Sequence, residues 1–300
     1  MIDLQEYYAR IPMLKDIPIE SISAERLGGL TNIVYCLTYN DQKKILRIPG
    51  VGTAEFIDRT TEMHDAKVAS DSGVSASILY FDKNDGLMFC EFLEGETLNE
   101  EKFRDLGSVK RSAKALLKIH QHPVKFKNRF DVFEKIDEYL ELVKKLDAKV
   151  PNGYDDVNLA AKKIRTVLES KPIELVPCHC DPLAENFIDN GKRVFIVDWE
   201  YGGNNDPMWD LGDMSVEANF TPEQDRILLE SYFSGPPPKD QLGRMVIYKM
   251  LCDLLWTLWG VVQHANKNPV DDFWAYSVGR FERCQKLLAA PSFNDHLEAI

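Results

Sequence analysis

His179-Cys180-Asp181-Pro182-Leu183-Ala184-Glu185-Asn186 runs into Phe187-Ile188, the pair Asn190-Gly191, and then Val194-Phe195-Ile196-Val197-Asp198. Two short apolar runs flanking Asn-Gly are the strongest short-range signal for a β-hairpin with a type I′ turn. Such a hairpin brings the exit of its second strand, at Asp198, beside the loop that precedes its first. Asp181, Asn186 and Asp198 can then face one point in space. A carboxylate to accept a hydroxyl proton, with an amide and a second carboxylate to hold Mg²⁺, is the set of groups that phosphoryl transfer requires. An Asx-rich turn between strands is the plain alternative.

The pattern His-x-Asp-x₄-Asn, followed by a strand ending in Asp, resembles the catalytic loop of protein-kinase-like phosphotransferases. The resemblance implies Asp181 as catalytic base and Asn186 and Asp198 as Mg²⁺ ligands, with His179 orienting the loop. Trp199-Glu200-Tyr201-Gly202-Gly203-Asn204-Asn205-Asp206-Pro207 and Asp210-Leu211-Gly212-Asp213 follow. They resemble the choline/ethanolamine kinase family and its bacterial phosphocholine-pathway members. Asp210 is there a structural anchor for the catalytic loop, and Glu200 divides between the metal shell and a surface role. Cys180 departs from the Asn usual at that place in choline kinases.

Upstream, the first ninety residues are strand-rich. Ile33 to Tyr39 is β-branched and aromatic, Asn40-Asp41 supplies a turn, and Lys44 to Ile48 completes a hairpin before Pro49-Gly50. A helical pattern occupies residues 54 to 71 and stops near Gly73. Strands follow at Ser77 to Phe81 and Leu87 to Phe92, separated by Lys83-Asn84-Asp85-Gly86. Leu27-Gly28-Gly29-Leu30-Thr31-Asn32 sits before the first strand, where glycines let backbone N–H groups approach phosphate. A turn without a ligand is the alternative. The run resembles the Gly-Gly-Leu-Thr-Asn loop of choline kinases. Arg47 can reach phosphates from its strand, as the resemblance also implies, with Glu62 as the carboxylate that holds it. Glu91, Phe92 and Leu93 lie at the expected hinge, offering backbone groups to adenine.

From Val109 onward helices dominate, apart from the strands near residues 175–198. Trp256 and Trp259 share a helix face, and Phe273 and Tyr276 follow. Aromatic stripes on apolar helices are commonly core. In choline kinases, however, a Trp-x-x-Trp helix and a following aromatic pair cage a quaternary ammonium. The resemblance thus implies acceptor-binding roles for Trp256, Trp259, Phe273 and Tyr276. It adds Tyr201 from the strand end and Glu217 as the accompanying carboxylate. Phe220 and Phe273 replace tyrosines of eukaryotic members.

Composition bounds the remainder. The chain has 300 residues, a formal net charge of −12, 44% apolar and 28% charged residues. That is enough apolar material for a core, and the acidic balance argues against nucleic acid. The apolar stretch Leu251 to Val262 is too short for a membrane span and reads as a buried helix. The start is acidic and mixed, without a targeting pattern, and scattered cysteines suit a cytoplasmic protein. Cys178-His179-Cys180 has no second Cys/His pair at zinc-ligand spacing. The expectation is an α+β, protein-kinase-like two-lobe fold. A nucleotide-binding lobe spans 1–91 and a catalytic and substrate-binding lobe 92–300. The resemblance, over about residues 25 to 285, implies transfer from Mg²⁺-ATP to choline. Alternatives are a kinase for ethanolamine, thiamine or an aminoglycoside, or an inactive choline- or ATP-binding sensor. Oligomeric state leaves no mark in the sequence.

Overall fold

The computed structural model describes residues 4–28, 32–50 and 57–300. The N-terminal part opens with α1 (Leu4–Arg10). It continues through β1 (Ser23–Gly28), β2 (Ile33–Tyr39), β3 (Gln42–Ile48), α2 (Arg59–Ser72), β4 (Ile78–Phe81) and β5 (Met88–Glu91). The five strands form one antiparallel sheet in the order β1-β2-β3-β5-β4. Tyr8, Ile11, Leu37, Leu46, Ile48, Leu87 and Phe89 make its core. Asn40 and Asp41 both have positive φ, at 48° and 57°, which is the signature of a type I′ turn joining β2 and β3. Asp58 caps α2 by accepting from the Thr60 N–H, and Gly73, at φ 73°, ends it.

Two elements of this N-terminal part escape the sequence reading. One is α1; the other is β1, whose Ser-Ala-Glu-Arg-Leu-Gly has weak strand character but pairs along β2. The stretch around Gly28–Asn32 is therefore the connection between two paired strands, β1 and β2. Of the phosphate-loop residues, Gly29, Leu30 and Thr31 lie outside the described residues, as does the 54–56 start expected for α2.

The larger part begins with β6 (Glu96–Thr97), α3 (Leu106–His120), α4 (Val132–Lys145), α5 (Tyr154–Ser170) and β7 (Val176–Cys178). Next come β8 (Phe187–Asp189), β9 (Val194–Ile196), β10 (Gly203–Asn205), α6 (Pro207–Glu217) and α7 (Pro222–Phe233). The chain closes with α8 (Lys239–Ala265), α9 (Phe273–Leu288) and α10 (Phe293–Glu298). β7 pairs with β10, and β6-β8-β9 form a small sheet.

The expected hairpin is present as β8–β9, but its turn is not type I′. Asp189 pairs with Val194, so the loop has four residues, and only Gly191 has positive φ. The Asn190 side chain accepts from the N–H groups of Lys192 and Arg193, an Asx arrangement that stabilises the longer loop. The apolar run at 251–262 belongs to the much longer α8, which is apolar enough to cross a membrane by length and composition. It packs instead against α4, α6, α9 and α10, with Leu251, Leu254, Leu255 and Leu258 fully buried. It is the central core helix of this part.

Candidate active site

The loop after β7 is tied down from beneath. Fully buried Asp210, on α6, accepts hydrogen bonds from the backbone N–H groups of His179 (2.7 Å) and Cys180 (2.9 Å). Its Oδ2 is also 3.0 Å from His120 Nε2, whose other ring nitrogen meets the Tyr232 hydroxyl at 2.8 Å. Trp209 adds an indole N–H to the Cys180 carbonyl. His179 spans the hairpin: its Nε2 lies 2.8 Å from the Val197 carbonyl, and its Nδ1 accepts from the Asp181 N–H. These bonds hold Cys180, the residue before Asp181, at φ 66°, a left-handed conformation uncommon for a non-glycine residue. Among the described residues nothing hydrogen-bonds the Asp181 carboxylate. Burial pushes its pKa up to about 6; His179 and Arg280 oppose the rise, and Asp198 adds to it.

Cys178 and Cys180 are fully buried, and their thiols face backbone carbonyls of Asn205 and Gly203 respectively. The His179 ring points to the hairpin, so Cys178-His179-Cys180 does not converge as a ligand set.

Asn186 donates its side-chain N–H to the Asp181 carbonyl (3.0 Å), which leaves its amide oxygen free to face a cation. Asp198, at φ 67° beyond β9, is partly exposed, and its carboxylate sits 3.4 Å from the Arg47 guanidinium. An amide oxygen and a carboxylate beside each other are hard oxygen donors of the kind Mg²⁺ prefers, so these residues fit that ion. Arg47 is buried, ion-paired with Glu62, and within 3.3 Å of the Gly86 carbonyl. Glu62 is shared with Arg59 at 2.6 Å. Arg47 thus joins β3, α2 and Asp198, and its Nε is buried without a hydrogen-bond partner.

Glu200 is not a surface residue: its side chain is 4% exposed. It accepts from Asn32 Nδ2 at 3.0 Å, so the start of β2 touches the segment after β9. Burial, then the Asp198 charge, raises its pKa to about 7. At the hinge position, Glu91 pairs with Lys44 (2.7 Å), Lys43 lies over the Phe92 ring, and Leu93 is half-buried.

The aromatic residues fall into two groups. Tyr201 meets Trp256 edge-on at 6.1 Å between ring centres. Trp259 contacts Phe273 (5.3 Å) and Tyr276 (5.6 Å), both edge-on. Gly260 allows the second group to form: a Cβ there would come 2.3 Å from Ser277 Oγ and 2.6 Å from the Tyr276 ring, so α8 and α9 approach at that point only without a side chain. Phe220 packs on Phe103 instead, inside the core. Glu217 does not stand free. Arg280 from α9 holds it with two guanidinium nitrogens and lies over the Tyr276 ring. The sequence reading missed Arg280; its only local signal is a position four residues beyond Tyr276, on the same helix face. It also passed over Tyr139, whose hydroxyl is raised in pKa by burial and then by the Asp181 charge.

The model of the Choline/ethanolamine kinase family matches residues 24–227. The chain belongs to that family. A choline/ethanolamine kinase family protein from Mesorhizobium loti is 45% identical, with 98% of each chain covered and a TM-score of 0.88. Choline kinase LicA from Streptococcus pneumoniae is 27% identical over 95% of this chain and 97% of its own, at a TM-score of 0.79. A LicA structure in complex with AMP is 29% identical, with the same coverage and a TM-score of 0.75. This family member is therefore a small-molecule kinase on a kinase-like fold, transferring a phosphoryl group to a small alcohol.

Proposed function

We propose that the enzyme transfers the γ-phosphoryl group of ATP, with Mg²⁺, to the hydroxyl of choline, giving phosphocholine and ADP. The observation that carries the reading is a juxtaposition. Asp198 lies 3.4 Å from Arg47 and close enough to Asp181 to raise its pKa, and Asn186 is bonded to the Asp181 carbonyl, while Tyr201–Trp256 and Trp259–Phe273–Tyr276 form two ring groups on the helical side. Residues 1–91 form the nucleotide lobe and 92–300 the catalytic lobe of a cytoplasmic enzyme. Gly28, Asn32 and Arg47 face the phosphates, Glu62 keeps Arg47 in place, and the Glu91–Leu93 backbone faces adenine. Asn186 and Asp198 would hold Mg²⁺, which would supply neutralisation of the charge on the transferred group. Asp181 orients the acceptor hydroxyl and takes its proton as the phosphorus–oxygen bond forms. Ring faces bind a trimethylammonium group, which has no N–H to donate. Catalysis is then mainly positioning and charge neutralisation.

An ADP-release assay over choline, ethanolamine, thiamine and an aminoglycoside tests this. Choline should be preferred over each of the others by at least about tenfold in kcat/KM. Turnover confined to one of the other alcohols would replace choline as acceptor, and binding of choline without any turnover would favour a sensor.

A further inference from the structure

The Glu217–Arg280 pair changes what the acceptor pocket can offer. Both side chains are largely buried, at 13% and 5% exposure, and both Arg280 contacts fall on one Glu217 oxygen. Among the described residues Arg280 has no equally close second carboxylate: its Nε is 3.7 Å from Asp253, which Arg283 already holds through two contacts of 2.7 Å. Asp213, next to Glu217 and Cys252, accepts a hydrogen bond from the Cys252 thiol on one oxygen and leaves the other buried without a partner. Burial favours its neutral, protonated form. Of the carboxylates around the Trp259–Phe273–Tyr276 rings, Glu217 and Asp253 are thus neutralised by arginine and Asp213 favours its neutral form, which leaves Asp181, whose charge also reaches Tyr276, as the one assigned to the acceptor hydroxyl.

We propose that Arg280 is a specificity-determining residue that occupies Glu217 and restricts the acceptor to quaternary ammonium alcohols. This rests on the reading of the ring group as the acceptor pocket. A primary ammonium carries three N–H donors and loses their water partners on entry; it must find acceptors or bind weakly. A quaternary ammonium has no such donors and needs only ring faces. With the guanidinium on Glu217, the pocket suits the second and penalises the first.

The test compares kcat/KM for choline and ethanolamine, at saturating Mg-ATP, in wild type, Arg280→Met and Arg280→Met/Glu217→Gln. Methionine keeps apolar volume against Tyr276 and removes the charge. The ethanolamine-to-choline ratio should rise about tenfold or more in the single variant, since a freed carboxylate makes charge-assisted hydrogen bonds, and return to the wild-type ratio in the double variant. A folded single variant with an unchanged ratio overturns the proposal, as does an equal rise in both variants. Calorimetric titration of wild type with tetramethylammonium and methylammonium keeps the question open to test if the variants do not fold. At least about tenfold tighter binding of tetramethylammonium is expected, and equal affinity overturns the proposal. Loss of the acceptor reading itself shows differently: wild type then turns over neither alcohol and binds neither ion.

Discussion

Replacing Asp210 by Asn tests whether the catalytic loop is held from beneath. The carboxylate accepts from two consecutive backbone N–H groups, at 2.7 and 2.9 Å, and lies 3.0 Å from His120 Nε2. An amide keeps one oxygen and turns an N–H₂ toward a group that can only donate. At least one charge-assisted bond is lost inside a fully buried site, and a donor is left facing a donor. Bonds to charged groups contribute about 1.5–3 kcal/mol each, so a loss of about 2–4 kcal/mol is expected. For a chain of this size that lowers Tm by roughly 4–8 °C. The kinetic effect should be larger than the thermal one. Cys180 holds a left-handed φ of 66° with its N–H on Asp210, a conformation that costs about 1–3 kcal/mol and persists only when its surroundings enforce it. Released, it relaxes, and Asp181, the next residue, moves with it. A displacement of about 1 Å at a reacting group costs on the order of a hundredfold in rate. Thermal melting with an ADP-release assay measures both quantities, and KM for ATP should stay within about threefold of wild type. A variant that loses the expected stability yet keeps kcat within about threefold of wild type would refute the reasoning, because the loop would then not depend on its anchor.

Asp181→Asn should lower kcat at least about a thousandfold with Mg-nucleotide affinity kept within a few-fold; wild-type turnover would remove Asp181 from the chemistry. Because burial lifts the Asp181 pKa to about 6, the base form gains population as pH rises through 6. The kcat/KM profile should therefore climb from pH 5 to 7, and a flat profile over that range would contradict the assignment. Trp256→Ala and Trp259→Ala should raise the acceptor KM about tenfold or more and leave the ATP KM nearly unchanged; equal, small effects on both would mark these rings as ordinary core. Burial raises the Cys178 and Cys180 thiol pKa values well above the ordinary range, so mild alkylation of the native enzyme should leave activity intact, and rapid inactivation that follows modification of either residue would show the loop opening to solvent.

What could be read from the sequence divides by the distance over which each feature is decided. The kinase-like fold follows from the family resemblance that the motifs carry, and the hairpin at 187–196 from local spacing. So does the convergence of Asp181, Asn186 and Asp198, because fewer than twenty residues and one antiparallel pairing bring them together. Even here the turn escaped: Asn190 uses its side chain to cap a four-residue loop instead of adopting positive φ, a choice its Asn-Gly signal does not distinguish. β1 was illegible for another reason, since Ser23–Gly28 gains its strand from pairing along β2 and not from its own residues. The largest gap is electrostatic. Glu217 and Glu200 look alike in sequence, two acidic residues near aromatic ones. One is held by Arg280, 63 positions away, and the other accepts from Asn32, 168 positions away, in a place where burial raises its pKa to about 7. Periodicity reports which side chains leave water; it does not report which opposite charge meets them there. On the proposed reading, in which the acceptor is chosen by what an ammonium finds in its pocket, that partner matters more than the carboxylate itself. A motif that names Glu217 without Arg280 assigns a negative charge to a site where the folded chain has already cancelled it.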